Sequence, residues 1–142
     1  MSNNKWPKRD PIKNYFPLPN EIFSLGLDSR EISIYAYLLR CENRKTFQCW
    51  PSYKTIGHAV GLCENTVRKY VSSLEEKGLI RTEPTTLWSR DGRGRNGTLR
   101  YTICPMHEVL ERKYQRQLMQ AQEDAARQIA AERLAKHTAQ DR

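Results

Sequence analysis

The chain has 142 residues, 38% of them hydrophobic, with a formal net charge of +8. That length fits one small domain with some chain to spare, and no apolar stretch approaches the roughly 20 residues of a membrane span. The opening Met1-Ser-Asn-Asn-Lys-Trp6 lacks the apolar run of a secretory signal, so the expectation is a cytoplasmic protein with no membrane partner. The charge is uneven: residues 1–104 carry 17 Lys/Arg against 10 Asp/Glu, and residues 105–142 carry 7 against 6. A basic excess placed in this way favours a polyanionic partner, although solubility alone also calls for net charge.

Residues 1–20 hold Pro7, Pro11, Pro17 and Pro19, which disfavour helix and central strand. Residues 1–14 read as a flexible basic arm, and Tyr15–Phe23 as an extended segment packed on the domain. A first helix is expected from about Asp28 to Arg40. Asp28 or Ser29 would cap it, Glu31 would favour its positive end, and Ile32, Tyr35, Ala36, Leu38 and Leu39 would face inward. Residues 41–51 read as a polar connection.

The segment PSYKTIGHAVGLCENTVRKYVSSLEEKGLI carries most of the information. Ser52 caps a short helix whose apolar face is Ile56, Ala59 and Val60, and Gly61 supplies the left-handed residue that ends it. Leu62 should be buried in the turn. A second helix from about Glu64 to Lys77 places Val67, Tyr70, Val71 and Leu74 inward at helical spacing, and Gly78 ends it. Two short helices about a tight glycine turn form a helix-turn-helix. Residues 79–87 then read as a strand, Ser89–Gly97 as a loop dense in turn formers, and Thr98–Cys104 as a returning strand. The expected fold is mainly α with a small β-hairpin wing: a winged helix-turn-helix over 15–104. A long C-terminal helix over 105–142 follows, rich in strong helix formers. Its stripe of Leu110, Tyr114, Leu118, Ala121, Ala125 and Ile129 leaves two readings open, a homodimerising helix or a monomeric frayed tail.

The major groove of B-form DNA admits one α-helix and is read by donors and acceptors on it. Glu64, Asn65, Thr66, Arg68, Lys69, Ser72 and Ser73 lie off the apolar stripe of the second helix. Asn65 suits adenine, Arg68 suits guanine or phosphate, and Lys69 suits phosphate. Glu64 could accept from a cytosine amino group or only favour the helix dipole. Ser52, Tyr53 and Lys54 open the preceding helix, where N–H groups and a cation can hold a phosphate; Tyr53 reads equally as a packing aromatic. Arg90, Arg93 and Arg95 in the loop, with Arg100 just inside the next strand, suit the minor groove or the backbone. The expected partner is therefore double-stranded DNA.

No catalytic constellation is legible, so no enzyme activity and no cofactor are expected. Cys41, Cys49, Cys63 and Cys104 form no Cys-x-x-Cys pair, and His58, His107 and His137 lie at no zinc-finger spacing from them; reduced thiols are the expectation.

The central segment resembles the Pro-Ser-x-x-x-Ile/Leu-Ala…Leu-Gly-Val-Ser-x-x-Thr-Val-Arg…Leu-Glu-x-x-Gly-Leu-Ile pattern of bacterial winged-helix regulators. With YFPLPNEIFSLGLDSREISIYAYLLR before it and DGRGRNGTLRYTI after it, the chain resembles the winged helix-turn-helix proteins of bacterial conjugative elements, plasmids and phages. These are related to the N-terminal domains of replication initiators and replisome organisers. The resemblance covers about residues 14–104 and implies sequence-specific DNA binding, with regulation of transcription on a mobile element first. A replication initiator or replisome-organiser role, or a winged-helix protein-interaction module, are the alternatives. It places Thr66 and Arg68 on the Thr-Val-Arg signature, with Val67 buried between them. Cys63 stands where the pattern has Ser, either as a neutral change or as a redox-sensitive spot.

Overall fold

A computed structural model describes residues 15–140; the expected basic arm over 1–14 lies outside them, as do residues 141–142. A 3₁₀ turn, Asn20–Ser24, leads into α1 (Ser29–Cys41), and a two-residue strand β1 (Gln48–Cys49) precedes α2 (Tyr53–Val60) and α3 (Glu64–Glu76). Strands β2 (Ile80–Glu83), β3 (Thr86–Trp88), β4 (Gly94–Asn96) and β5 (Arg100–Ile103) follow, and α4 (Met106–Gln140) completes the chain. This is a winged helix-turn-helix with a long C-terminal helix.

α1 begins in a capping box. The Asp28 carboxylate accepts the Arg30 N–H at 2.8 Å, and Glu31 accepts the Asp28 N–H at 3.1 Å. The buried face is Glu31, Ile34, Tyr35 and Leu38, with Ile32 and Leu39 packed at its margins. The expected stripe was thus rotated: Ile34 is fully buried, whereas Ile32, Ala36 and Leu39 are half-buried. Glu31 is the reason. It is the one buried charged residue among those described, 3% exposed, and its long-range partners are Ser73 of α3 and Lys77 just past that helix. Ser73 donates to it at 3.0 Å and Lys77 at 2.9 Å, so the start of α1 is tied to the end of α3.

The apolar core gathers around this tie. Val67, Val71 and Leu74 of α3 pack with Ile34 and Leu38 of α1, Ile56 of α2, Leu79 just before β2, and Ile80, Tyr101 and Ile103 of the sheet. Tyr70, expected inward, is half-buried, and Ala59, expected on the inner face of α2, is exposed. β5 lies centrally in an antiparallel three-stranded sheet of order β1-β5-β2, with Cys49 opposite Tyr101 and Ile80 opposite Ile103.

The single strand expected over 79–87 is two strands. Pro84 has no N–H for a ladder and divides β2 from β3. Part of the expected 89–97 loop is strand as well: β4 pairs with β3 as a separate two-stranded ribbon, the wing. The connection 41–51 contains β1, and the extended segment before α1 contains the 3₁₀ turn whose Ile22 is fully buried.

α4 spans 35 residues, about 50 Å at the usual helical rise. Its first turns pack on the domain. Val109 is buried, the Lys113 ammonium donates to the Ser24 carbonyl at 2.7 Å, and the Arg116 guanidinium reaches the Lys77 carbonyl at 3.4 Å. From Gln117 onward every described residue is exposed.

Burial raises the Glu31 pKa, but Lys77, the Asp28 N–H and Ser73 outweigh it and hold the carboxyl below its ordinary value. A depressed folded pKa stabilises above the unfolded value and loses that contribution as pH falls through the folded one. Glu31→Gln should therefore lower stability by about 1–3 kcal/mol at neutral pH. Denaturant unfolding should show this gap to wild type shrinking below about pH 4, the ordinary carboxylate range. A gap unchanged by acidification would contradict the ionised tie.

Candidate nucleic-acid interface

The turn between α2 and α3 sets where the reading helix points. The Gly57 carbonyl accepts the N–H groups of both Gly61, at 2.8 Å, and Leu62, at 3.0 Å. Gly61 holds φ +74°, the left-handed conformation that a Cβ would strain. Gly57 is needed for a different reason. A Cβ placed there would lie 2.3 Å from the Leu62 carbonyl oxygen, so the first helix passes directly against the turn backbone. Leu62 itself is half-buried, closing the corner.

α3 begins after Cys63, whose exposed thiol lies 3.0 Å from the Thr66 hydroxyl and caps no backbone N–H by a hydrogen bond. That hydroxyl and the N–H groups of the first turn lower the thiol pKa from its usual value. Glu64, Asn65, Arg68, Lys69 and Ser72 are exposed along the free face, and Thr66 is half-buried. Ser73 is set apart from this row, because its hydroxyl is directed at Glu31 across to α1. At the start of α2, Ser52 caps by accepting the Thr55 N–H at 3.0 Å, and Lys54 is exposed. Tyr53 is half-buried, with the Arg68 guanidinium carbon 5.5 Å from its ring centroid. The ring thus serves as a packing aromatic that also positions a guanidinium.

The wing stands beside this face. Register pairs Thr86 with Asn96, Leu87 with Arg95 and Trp88 with Gly94. The tip is closed by the Ser89 N–H and hydroxyl donating to the Arg93 carbonyl, at 3.0 and 3.1 Å, and by Gly92 at φ +78°. Arg90, Arg93 and Arg95 are exposed. Among the described residues the ion pairs are Lys77–Glu31 and Arg100–Glu83, so the wing arginines, Lys54, Arg68 and Lys69 have no carboxylate partner there. Arg100 is not at the tip. It is held by Glu83 across the β2–β5 pair at the wing's base.

A cleft of about 640 Å³ separates the wing from the two helices, lined by Ser52, Tyr53, Lys54, Glu64 and Arg68 on one side and by Leu87 and Asn96 on the other. The structure thus gathers five of the expected site residues around one groove and leaves Asn65 and Lys69 on the adjoining helix face. Leu87 and Asn96 had no signal beyond their place in the hairpin. Arg30 was also missed: it donates to the Tyr70 hydroxyl at 2.8 Å, and the Lys69 ammonium lies 5.6 Å from the same ring. A basic residue in the first turn of α1 would have flagged it only if α3 were known to lie alongside.

Residues 25–80 match a helix-turn-helix domain family. Over 60 residues, 42% of this chain, the sequence is 43% identical to the LexA repressor of Staphylococcus epidermidis and equally to that of Staphylococcus aureus. The matched segment spans 28% of the length of each repressor. The fold is also similar to that of a possible transcriptional regulator from Methanosarcina mazei Go1, at 17% identity, TM-score 0.44, covering 71% of this chain and 82% of that one. No helix among the described residues is long and apolar enough to cross a membrane.

Gly57→Ala should lower stability by about 1–3 kcal/mol, because the new methyl meets backbone rather than a movable side chain. Ala59→Ser, one turn position away and exposed, should leave the unfolding midpoint nearly unchanged. Thermal unfolding of both variants checks this, and equal midpoints would mean the turn is not held as described.

Proposed function

We propose that the protein is a non-enzymatic regulator of transcription that binds duplex DNA in a sequence-specific manner. The observation that carries this reading is the groove between α3 and the wing. Lys54 and Arg68, with no carboxylate partner among the described residues, line its helical side, and a helix N-terminus opens into it. The exposed polar row of α3 adjoins it, and the wing that bounds its other side carries Arg90, Arg93 and Arg95. A sugar–phosphate strand fits such a groove, with α3 in the major groove on one side of the strand and the wing in the minor groove on the other. In this reading Asn65 and Arg68 contact base edges, Thr66 and Glu64 border them, and Ser52, Tyr53, Lys54 and Lys69 hold phosphates. Arg90, Arg93 and Arg95 follow the minor groove. Ser73 and Arg100 support the surface from behind, through Glu31 and Glu83. The repressors that match over 60 residues favour a role in transcription. The finer assignment to a mobile genetic element rests on the likeness of the flanking segments to proteins of that group.

We further propose that residues 15–104 form the DNA-binding unit, with the opening turns of α4 docked on it, and that the rest of α4 pairs two copies. The support is the row Tyr114, Leu118, Ala121, Ala125 and Ile129 on a helix that contacts nothing else from Gln117 onward. Two reading heads would then meet half-sites about one helical turn apart.

Selection of bound sequences from a random duplex pool tests the main reading. An enriched motif is expected, lost from the pool when Asn65 or Arg68 is replaced by Ala, at a cost on the order of 1–3 kcal/mol on the cognate site. Replacing Arg90, Arg93 and Arg95 together should weaken binding to all sequences and flatten the salt slope by up to about 3 units. Absence of duplex binding at low salt would leave only a protein-interaction role. Sedimentation equilibrium tests the pairing: a dimer converted to monomer by Leu118→Lys with Ile129→Lys supports it, and a wild-type monomer at all concentrations removes it.

A further inference from the structure

The wing carries more than arginines. Trp88 is 74% exposed and Leu87 63% exposed, side by side on β3 and far from the core. Successive strand residues face opposite sides, so Trp88 shares one face of the ribbon with Thr86, Gly94 and Asn96, and Leu87 shares the other with Arg95. Opposite Trp88 in the register is Gly94. A Cβ at Gly94 would sit 3.3 Å from the indole Cζ3 and 3.5 Å from Cη2, so the ring lies over the glycine backbone and is supported from below. Its upper face has no neighbouring side chain across the strand. An aromatic side chain buries about 150–250 Å² when covered, which is a large apolar surface to leave in water at the most exposed part of a small domain.

The surroundings identify what covers it. Between Pro84 and Arg100 the chain has four arginines and one acid, Asp91, and of those arginines only Arg100 has a carboxylate partner among the described residues. An apolar protein surface docked on Trp88 would bury three unpaired guanidiniums beside it, whereas a nucleic acid offers phosphates for the arginines and a flat π-face for the indole. Proteins that enter the minor groove insert apolar side chains between base steps and kink the duplex, and aromatic rings stack on bases with little regard to sequence.

We propose that Trp88 is a base-stacking wedge: on duplex DNA, the indole enters a partly unstacked step beside the wing and the arginines hold the phosphates on either side, so that binding bends the DNA. Flexible pyrimidine–purine steps are the favoured targets, because they unstack at least cost. The proposal rests on the DNA-binding reading above and adds to it a deformation of the DNA.

The test compares wild-type protein with Trp88→Phe and Trp88→Ala on a short mixed-sequence duplex containing TA and CA steps. Three quantities are read: tryptophan emission, affinity across a salt series, and the end-to-end distance of the duplex by energy transfer between dyes. The wild type should show a component of quenching that is lost in Trp88→Phe, where Trp6 and Trp50 remain, together with a shortened duplex. Trp88→Ala should bind about tenfold more weakly with an unchanged salt slope and leave the duplex straight. Trp88→Phe should recover part of the affinity and of the bend. Tight binding with unperturbed Trp88 emission, or equal affinity and bend in Trp88→Ala, would overturn the wedge and leave the DNA-binding reading standing. A wild-type protein that binds no duplex would overturn the reading beneath it.

Discussion

The tie made by Glu31 organises the helical half of the molecule. A carboxylate taken out of water has to be paired and hydrogen-bonded, and here the capping N–H of Asp28, the Ser73 hydroxyl and the Lys77 ammonium do so together. The tie fixes the rotation of α1 about its own axis, which selects Ile34, Tyr35 and Leu38 as its buried face. It also holds α3 at its C-terminal end, leaving the N-terminal half of that helix free of side-chain ties to α1 apart from the Arg30–Tyr70 bond. Ser73 and Lys77 owe their orientation to this demand and are therefore not part of the outward row.

Direction comes from the other end of α3. Gly57 lets α2 pass against the Leu62 carbonyl, and Gly61 reverses the chain, so the two helices of the motif meet at a fixed angle. The wing is positioned separately. Pro84 interrupts the main sheet and the Gly97 N–H donates to the Thr85 carbonyl at 2.8 Å, which starts a second, independent ribbon. These two devices place an α-helical face on one side of the cleft and a β-ribbon on the other.

The helix-turn-helix was legible because its signals are local: a Ser cap, a glycine turn and an apolar stripe with the helical period all lie within thirty residues. The wing was legible as a hairpin but not in detail, since nothing short-range announces that β3 departs from β2 rather than continuing it. The rotation of α1 was not legible. Glu31 looks like an ordinary first-turn acid, and only the arrival of Ser73 and Lys77 from across the chain turns it inward. The same non-local cause removed Ser73 from the expected contact row, and the pairing with Glu83 drew Arg100 to the base of the wing. Trp88 falls between the strand expected over 79–87 and the loop expected from Ser89, and both its place in β3 and the glycine opposite it depend on a register that only the fold supplies.

The cleft between α3 and the wing is the centre of the account, and an amide chemical-shift titration with a short duplex addresses it residue by residue. The largest shifts are expected at Ser52–Lys54, at Glu64–Lys69 and through the wing from Leu87 to Asn96, with the exposed part of α4 unmoved. Shifts confined to α4, or none at low salt, would contradict it.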